Sequence, residues 1–135
     1  MIGRVLDSSA LIAWGRRSSP YVDAVIFARA EHHGYVVPVV TTAAALTAAL
    51  AQLPDKAVPI VEALLRMEIC VVDTLTPDSA PAVAEVLREA RWYAAEQVTA
   101  ATVVHAARRR ALPVVTNNRN PLQALWPEVE IDLIP

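Results

Sequence analysis

Three glycines in 135 residues, Gly3, Gly15 and Gly34, leave nothing from which to build a glycine-rich phosphate loop. Neither GxGxxG nor GxxxxGK[ST] can be written anywhere in the chain, which excludes the common dinucleotide and P-loop chemistries. A single cysteine, Cys70, permits no internal disulfide and suits a reducing compartment. Flanked by Ile69 and Val71, it reads as a core filler rather than a nucleophile. Aromatic residues make up only 5%, and the one Phe, three Tyr and three Trp are scattered, so no stacking platform for single-stranded bases is in view. Charge is scarce too: 19% of residues are charged and the net charge is −2, which gives no global pull toward nucleic acid or membrane. The apolar runs stop well short of the ~20 residues of a membrane span. No segment has the basic start, apolar core and cleavage site of a signal peptide. The expectation is a cytoplasmic protein without membrane contact.

What the chain has in excess is aliphatic surface. Apolar residues reach 55%, which implies a sheet buried on both faces, an oligomer interface, or both. The length fits one domain over 1–135. Val5 to Asp7 reads as a short buried strand running into a helix capped by Ser8 or Ser9. "SSPYVDAVIFARAEHHG" is marked as a helix by Ser19 as N-cap, Pro20 at the first position and Gly34 beyond the end. "YVVPVV" reads as a strand with Pro38 near its close, and "TTAAALTAALAQL" as a threonine-capped helix that Pro54 ends. "DKAVPIVEALLRM" is a further helix and "EICVVDT" a third strand. Thr76 and Pro77 then open a helix with Val83, Val86, Leu87 and Ala90 at helical spacing. "VTAATVVHAARRRA" is helix, "LPVVTNN" is strand, and "VEIDLI" closes the chain as the last strand. Short aliphatic strands alternating with helices predict an α/β fold with a parallel sheet covered on both faces. In such sheets ligands bind beyond the carboxyl ends of the strands, where Asp7, Asp73, Asn117 and Asn118 fall.

Two stretches carry a resemblance. "VLDSSALIA" resembles the opening of a PIN domain, the fold of the VapC-type toxin ribonucleases, and "VVHAARRRALPVVTNN" resembles its closing part. The order of elements agrees over essentially the whole chain. The resemblance implies a PIN-like three-layer α/β/α sandwich with a central, mainly parallel five-stranded sheet. It also implies a quartet of carboxylates around Mg²⁺ or Mn²⁺. Phosphodiester hydrolysis gains from a cation that offsets developing charge and activates water, and hard cations take oxygen ligands. Carried over position by position, the first acid falls on Asp7, the second on Ala44, the third on Ala100 and the fourth on Asn118. Only Asp7 bears a charge.

Glu96 lies one helical turn before Ala100 and could substitute for it, while Ser9, Thr116, Asn117 and Asn118 offer neutral oxygens. Arg119 and Arg16–Arg17 could meet phosphates near the pocket mouth, and the helix dipole suffices to explain Arg108–Arg109–Arg110. Bland readings stand beside these. Asp7 can cap the adjacent helix, the asparagines suit a turn, Glu96 suits a solvated first turn, and His105 suits a half-buried helix face. His32 and His33 lack a third ligand at metal spacing. A receiver-type signalling domain could use Asp73 and Thr116, but there is no second acid beside Asp7 and no lysine on the last strand. The resulting expectation is a catalytically impaired module binding RNA, nucleotide or protein, with no cofactor. The alternative is an active endoribonuclease using Mg²⁺ or Mn²⁺ with Asp7 and Glu96. A homodimer through the Thr41–Gln52 and Thr76–Arg91 helices and an antitoxin-like partner are the partners the resemblance implies.

Overall fold

The structure is a computed structural model and describes residues 3–30, 37–91 and 97–135. Five strands form one parallel sheet: β1 (Arg4–Leu6), β2 (Val39–Thr42), β3 (Cys70–Asp73), β4 (Val114–Thr116) and β5 (Ile131–Leu133), in the order β3-β2-β1-β4-β5. Every pairing is parallel, so the sheet goes further than the mainly parallel one expected. The register aligns Val5 with Val40 on one side and with Val114 on the other. Residues 6, 41, 72 and 115 share the next level, which places Asp7, Thr42, Asp73 and Thr116 together along one end of the sheet. β1 is the central strand, and Val5 and Leu6 are fully buried because helices cover both faces.

Seven helices are described: α1 (Ser8–Arg16), α2 (Pro20–Ala30), α3 (Ala43–Gln52), α4 (Val58–Leu65), α5 (Ala80–Glu89), α6 (Val98–Arg110) and α7 (Asn120–Leu125), with a 3-10 turn over Asp55–Ala57 before α4. The starts of α1, α2 and α3 follow from the capping chemistry in the sequence. Ser19 Oγ accepts from Val22 N at 3.2 Å at the start of α2, and Thr42 accepts from Ala45 N at 3.1 Å at the start of α3. Leu6, Leu11, Ile26 and Leu64 are among the largest fully buried side chains. Burial of each contributes roughly 1.5–3 kcal/mol against chain entropy.

Of the caps the sequence offers for α1, Asp7 is the one used, and Ser8 is the first helical residue. Three details depart from the sequence expectation. The helix expected to open at Thr76 and Pro77 begins at Ala80. Pro38 precedes β2 instead of closing it, and its carbonyl accepts from Arg4 N at 3.2 Å. That placement spares the ladder a residue without an N–H. Finally, α7 was not expected at all. Gly34, the expected end of α2, lies outside the described residues, as do His32 and His33.

Candidate functional site

Two hollows open at the carboxyl end of the sheet, and α6 lines both. The first, of about 360 Å³, is walled by Asp7, Ser9, Thr99, Ala100, Thr116 and Asn118 among others. Asp7 reaches it because β1 stops where α1 begins. Its Oδ1 accepts from Ala10 N at 3.0 Å, which caps the helix, and from Ser9 Oγ at 2.6 Å. Ser9 Oγ in turn accepts from Asn117 N at 2.9 Å and lies 3.5 Å from Thr116 Oγ1. Thr116 holds the following turn, donating to Asn118 O and accepting from Asn118 N, both at 3.2 Å. Asn118 Oδ1 accepts from Asn120 N at 3.1 Å, so this carboxamide supports the start of α7. Burial pushes the Asp7 carboxyl above its ordinary range, and hydrogen bonds from Ser9, Thr116 and Ala10 offset only part of that rise.

The sequence candidates therefore separate. Asp7, Ser9, Ala100, Thr116, Asn117 and Asn118 converge on this hollow. Ala44 lines the other one. Arg119 is exposed at the N-cap of α7, outside the wall. Glu96 falls in residues 92–96, outside the described residues. Arg16 and Arg17 end α1, nine residues long, at the helix end opposite Asp7, which corrects the expectation that they flank the mouth. Arg17 is held there in a left-handed conformation at φ 53°, stacked 4.7 Å over the Trp14 ring and paired with Asp23 at 3.0 Å.

A divalent cation is poorly served by this donor set. Among the described residues one carboxylate faces the hollow, and one of its oxygens already accepts two hydrogen bonds. The other polar side chains are hydroxyls and the carboxamides of Gln97, Asn117 and Asn118, and the Asn118 oxygen is engaged by Asn120 N. Mg²⁺ demands near-octahedral oxygen coordination and gives up water reluctantly. No group of three or more His, Cys, Asp or Glu that could hold a metal ion occurs among the described residues.

The raised Asp7 carboxyl has a thermodynamic consequence. A carboxyl whose folded pKa lies above the unfolded one favours folding most in acid, and that contribution is lost as pH rises through the folded value. Asp7→Asn keeps an equally good capping acceptor and removes the buried charge. The variant should melt above the parent at pH 7, and the difference should close near and below pH 3.8, the ordinary carboxyl value. Melting curves of both proteins across pH 3–8, taken over about that range, check this; an Asp7→Asn protein less stable at pH 7 contradicts it.

The second hollow, of about 560 Å³, lies on the other side of α6, between the ends of β2 and β3. Thr102, His105 and Arg109 line it from one stripe of α6. The arginine run has specific partners here, beyond the helix dipole that the sequence suggested. Arg110 binds Asp73 through two contacts of 2.6 Å, Arg109 lies at 3.3 and 3.4 Å from the same carboxylate, and Arg108 pairs with Glu89 at 3.1 Å. Burial raises the Asp73 carboxyl, but the Arg110 hydrogen bonds and the charges of Arg110 and Arg109 outweigh it and hold the group below its usual range. Sequence reasoning missed this pairing; the acid at a strand end and the arginine run were the only signals.

Neither a family model nor a curated protein matches the chain. Solved structures do. The VapBC2 structure from Rickettsia felis, bound to a DNA fragment from its promoter, superposes with a TM-score of 0.67 at 9% identity, covering 99% of this chain and 100% of that one. VapC20 of Mycobacterium tuberculosis, a Sarcin-Ricin loop cleaving toxin, superposes with a TM-score of 0.56 at 19% identity, covering 82% of this chain and 86% of that one. No described helix is long and apolar enough to cross a membrane. The chain has the PIN-like α/β/α fold of the VapC toxins.

Proposed function

We propose that this chain is a VapC-like protein that works as a binding or interaction module and not as an efficient metal-dependent nuclease. The observation that carries the reading is that Asp7 is the single carboxylate among the described residues of the first hollow and is occupied in capping α1. One carboxylate supplies little negative potential to strip a hydrated cation, and Ala100 adds only a methyl group beside it. A shared fold does not bring its relatives' chemistry with it. The remaining polar groups, Ser9, Asn117 and Asn118, suit contact with RNA or a nucleotide. The Rickettsia neighbour is a VapBC structure, which supports an antitoxin-like protein as partner; a homodimer through the Thr41–Gln52 and Thr76–Arg91 helices belongs to the same reading.

Two measurements on the full chain test this. Titration with Mn²⁺ in a calorimeter should give no saturable heat up to about 1 mM, the weak end of biological divalent sites. Expression in a host that lacks any partner protein should leave growth unaffected. Micromolar Mn²⁺ binding, together with growth arrest abolished by Asp7→Asn, overturns the proposal and reinstates an Mg²⁺- or Mn²⁺-dependent endoribonuclease.

A further inference from the structure

The second hollow is not used by the function proposed above, and its chemistry is distinct. Arg110 already satisfies both oxygens of Asp73 at 2.6 Å, so Arg109, at 3.3 and 3.4 Å, is a surplus cation. Arg109 is also the more exposed of the two, at 54% against 22% for Arg110. His105 sits four residues earlier on the same stripe and forms no hydrogen bond among the described residues, so its ring N–H is available to the hollow. The opposite wall is the first turn of α5, with Ser79, Ala82 and Val83, where the helix dipole favours negative charge. Two acids also face this space. Asp73 is neutralised by Arg110, and Asp78, exposed in the β3–α5 connection, is a good acceptor for sugar hydroxyls.

We infer that this hollow binds a sugar phosphomonoester, such as a nucleoside monophosphate, with the phosphate on Arg109 and His105 and sugar hydroxyls on Asp78. The volume, about 560 Å³, lies within the usual range for a small-molecule site. Arg109 releases its long contact to Asp73 and presents two parallel N–H donors to phosphate oxygens, while Arg110 keeps Asp73 paired. The site is separate from the Asp7 hollow and stands or falls independently of the nuclease question.

The test follows the His105 imidazole by NMR while the full-length protein is titrated with inorganic phosphate, ribose 5-phosphate, adenosine 5′-monophosphate or adenosine. The three phosphates should shift the His105 signals saturably and adenosine should not. Arg109→Gln should weaken phosphate binding about tenfold, the worth of one charge-assisted contact. Asp78→Asn should weaken ribose 5-phosphate and leave inorganic phosphate unaltered, and Asp7→Asn should change neither. Equal shifts with adenosine, or undiminished phosphate binding by Arg109→Gln, overturn the assignment, as does the absence of any saturable shift in the parent protein.

Discussion

Ala100→Asp combined with Asn118→Asp is expected to create a saturable Mn²⁺ site beside Asp7, which the proposal denies to the parent protein. Both positions line the hollow that Asp7 faces. Three carboxylates would then converge, within the range of charge and number that gives divalent sites of roughly 10⁻⁵–10⁻⁴ M affinity. An aspartate at 118 can still accept from Asn120 N, so the start of α7 keeps its support. The metal-free double variant should lose about 2 kcal/mol through mutual repulsion of the three carboxylates. Mn²⁺ at a hundred times its Kd should restore about 2.7 kcal/mol by mass action. Calorimetry and melting with and without Mn²⁺ read both effects. Ala44→Glu is the informative control. Position 44 lines the other hollow, so the added acid should not tighten Mn²⁺ binding. A double variant whose melting ignores Mn²⁺ shows that these positions do not form a common site.

Gly3→Ala is expected to destabilise the protein by about 3 kcal/mol, lowering Tm by about 10 °C. A Cβ on Gly3 would press into the carbonyl oxygen of Pro38 and stand 2.9 Å from Pro38 Cγ. That oxygen accepts from Arg4 N, one of the bonds that joins the start of β1 to the segment entering β2. The obstruction is backbone, and Pro38 has a ring that cannot rotate away, so relief requires the two central strands to separate. Gly15→Ala gives the contrast. Its Cβ would meet Leu53 Cδ1 at 2.7 Å, the end of a flexible side chain, and alanine is a better helix former by about 1 kcal/mol. The two effects nearly cancel there. Denaturant unfolding of both variants decides the matter: equal losses would mean that rigidity of the neighbour is not what sets the damage.

The helix and strand order was readable because most local signals agreed with one another. Ser19–Pro20, Thr42 and the aliphatic runs at Val39–Val40 and Val114–Val115 each announce an element that the structure contains. The α7 helix was not readable. "NPLQAL" has six residues, too few for a periodic pattern to emerge, and its support comes from Asn118, which sequence alone assigns equally well to a turn. The candidate site was legible in part. Asp7, Ser9, Thr116 and Asn118 meet because the parallel register aligns strand ends, a consequence of topology that short motifs already imply. The separation of Ala44 from that group was not legible, since it depends on which side of α6 each wall belongs to. The Asp73–Arg110 pairing spans 37 positions and carries no local pattern at all.

The placement of β1 between β2 and β4 has a consequence for synthesis. Val5 must pair with Val114, more than a hundred residues later, before the middle of the sheet is closed. As the polypeptide leaves the ribosome, one edge of this central strand stays open until β4 has emerged. Pairings this distant in sequence form slowly, and an open aliphatic edge invites association with other nascent copies. Proteins stalled or cleaved before Val114 should therefore accumulate in the insoluble fraction, and chaperone demand should fall sharply once the closing strand is available.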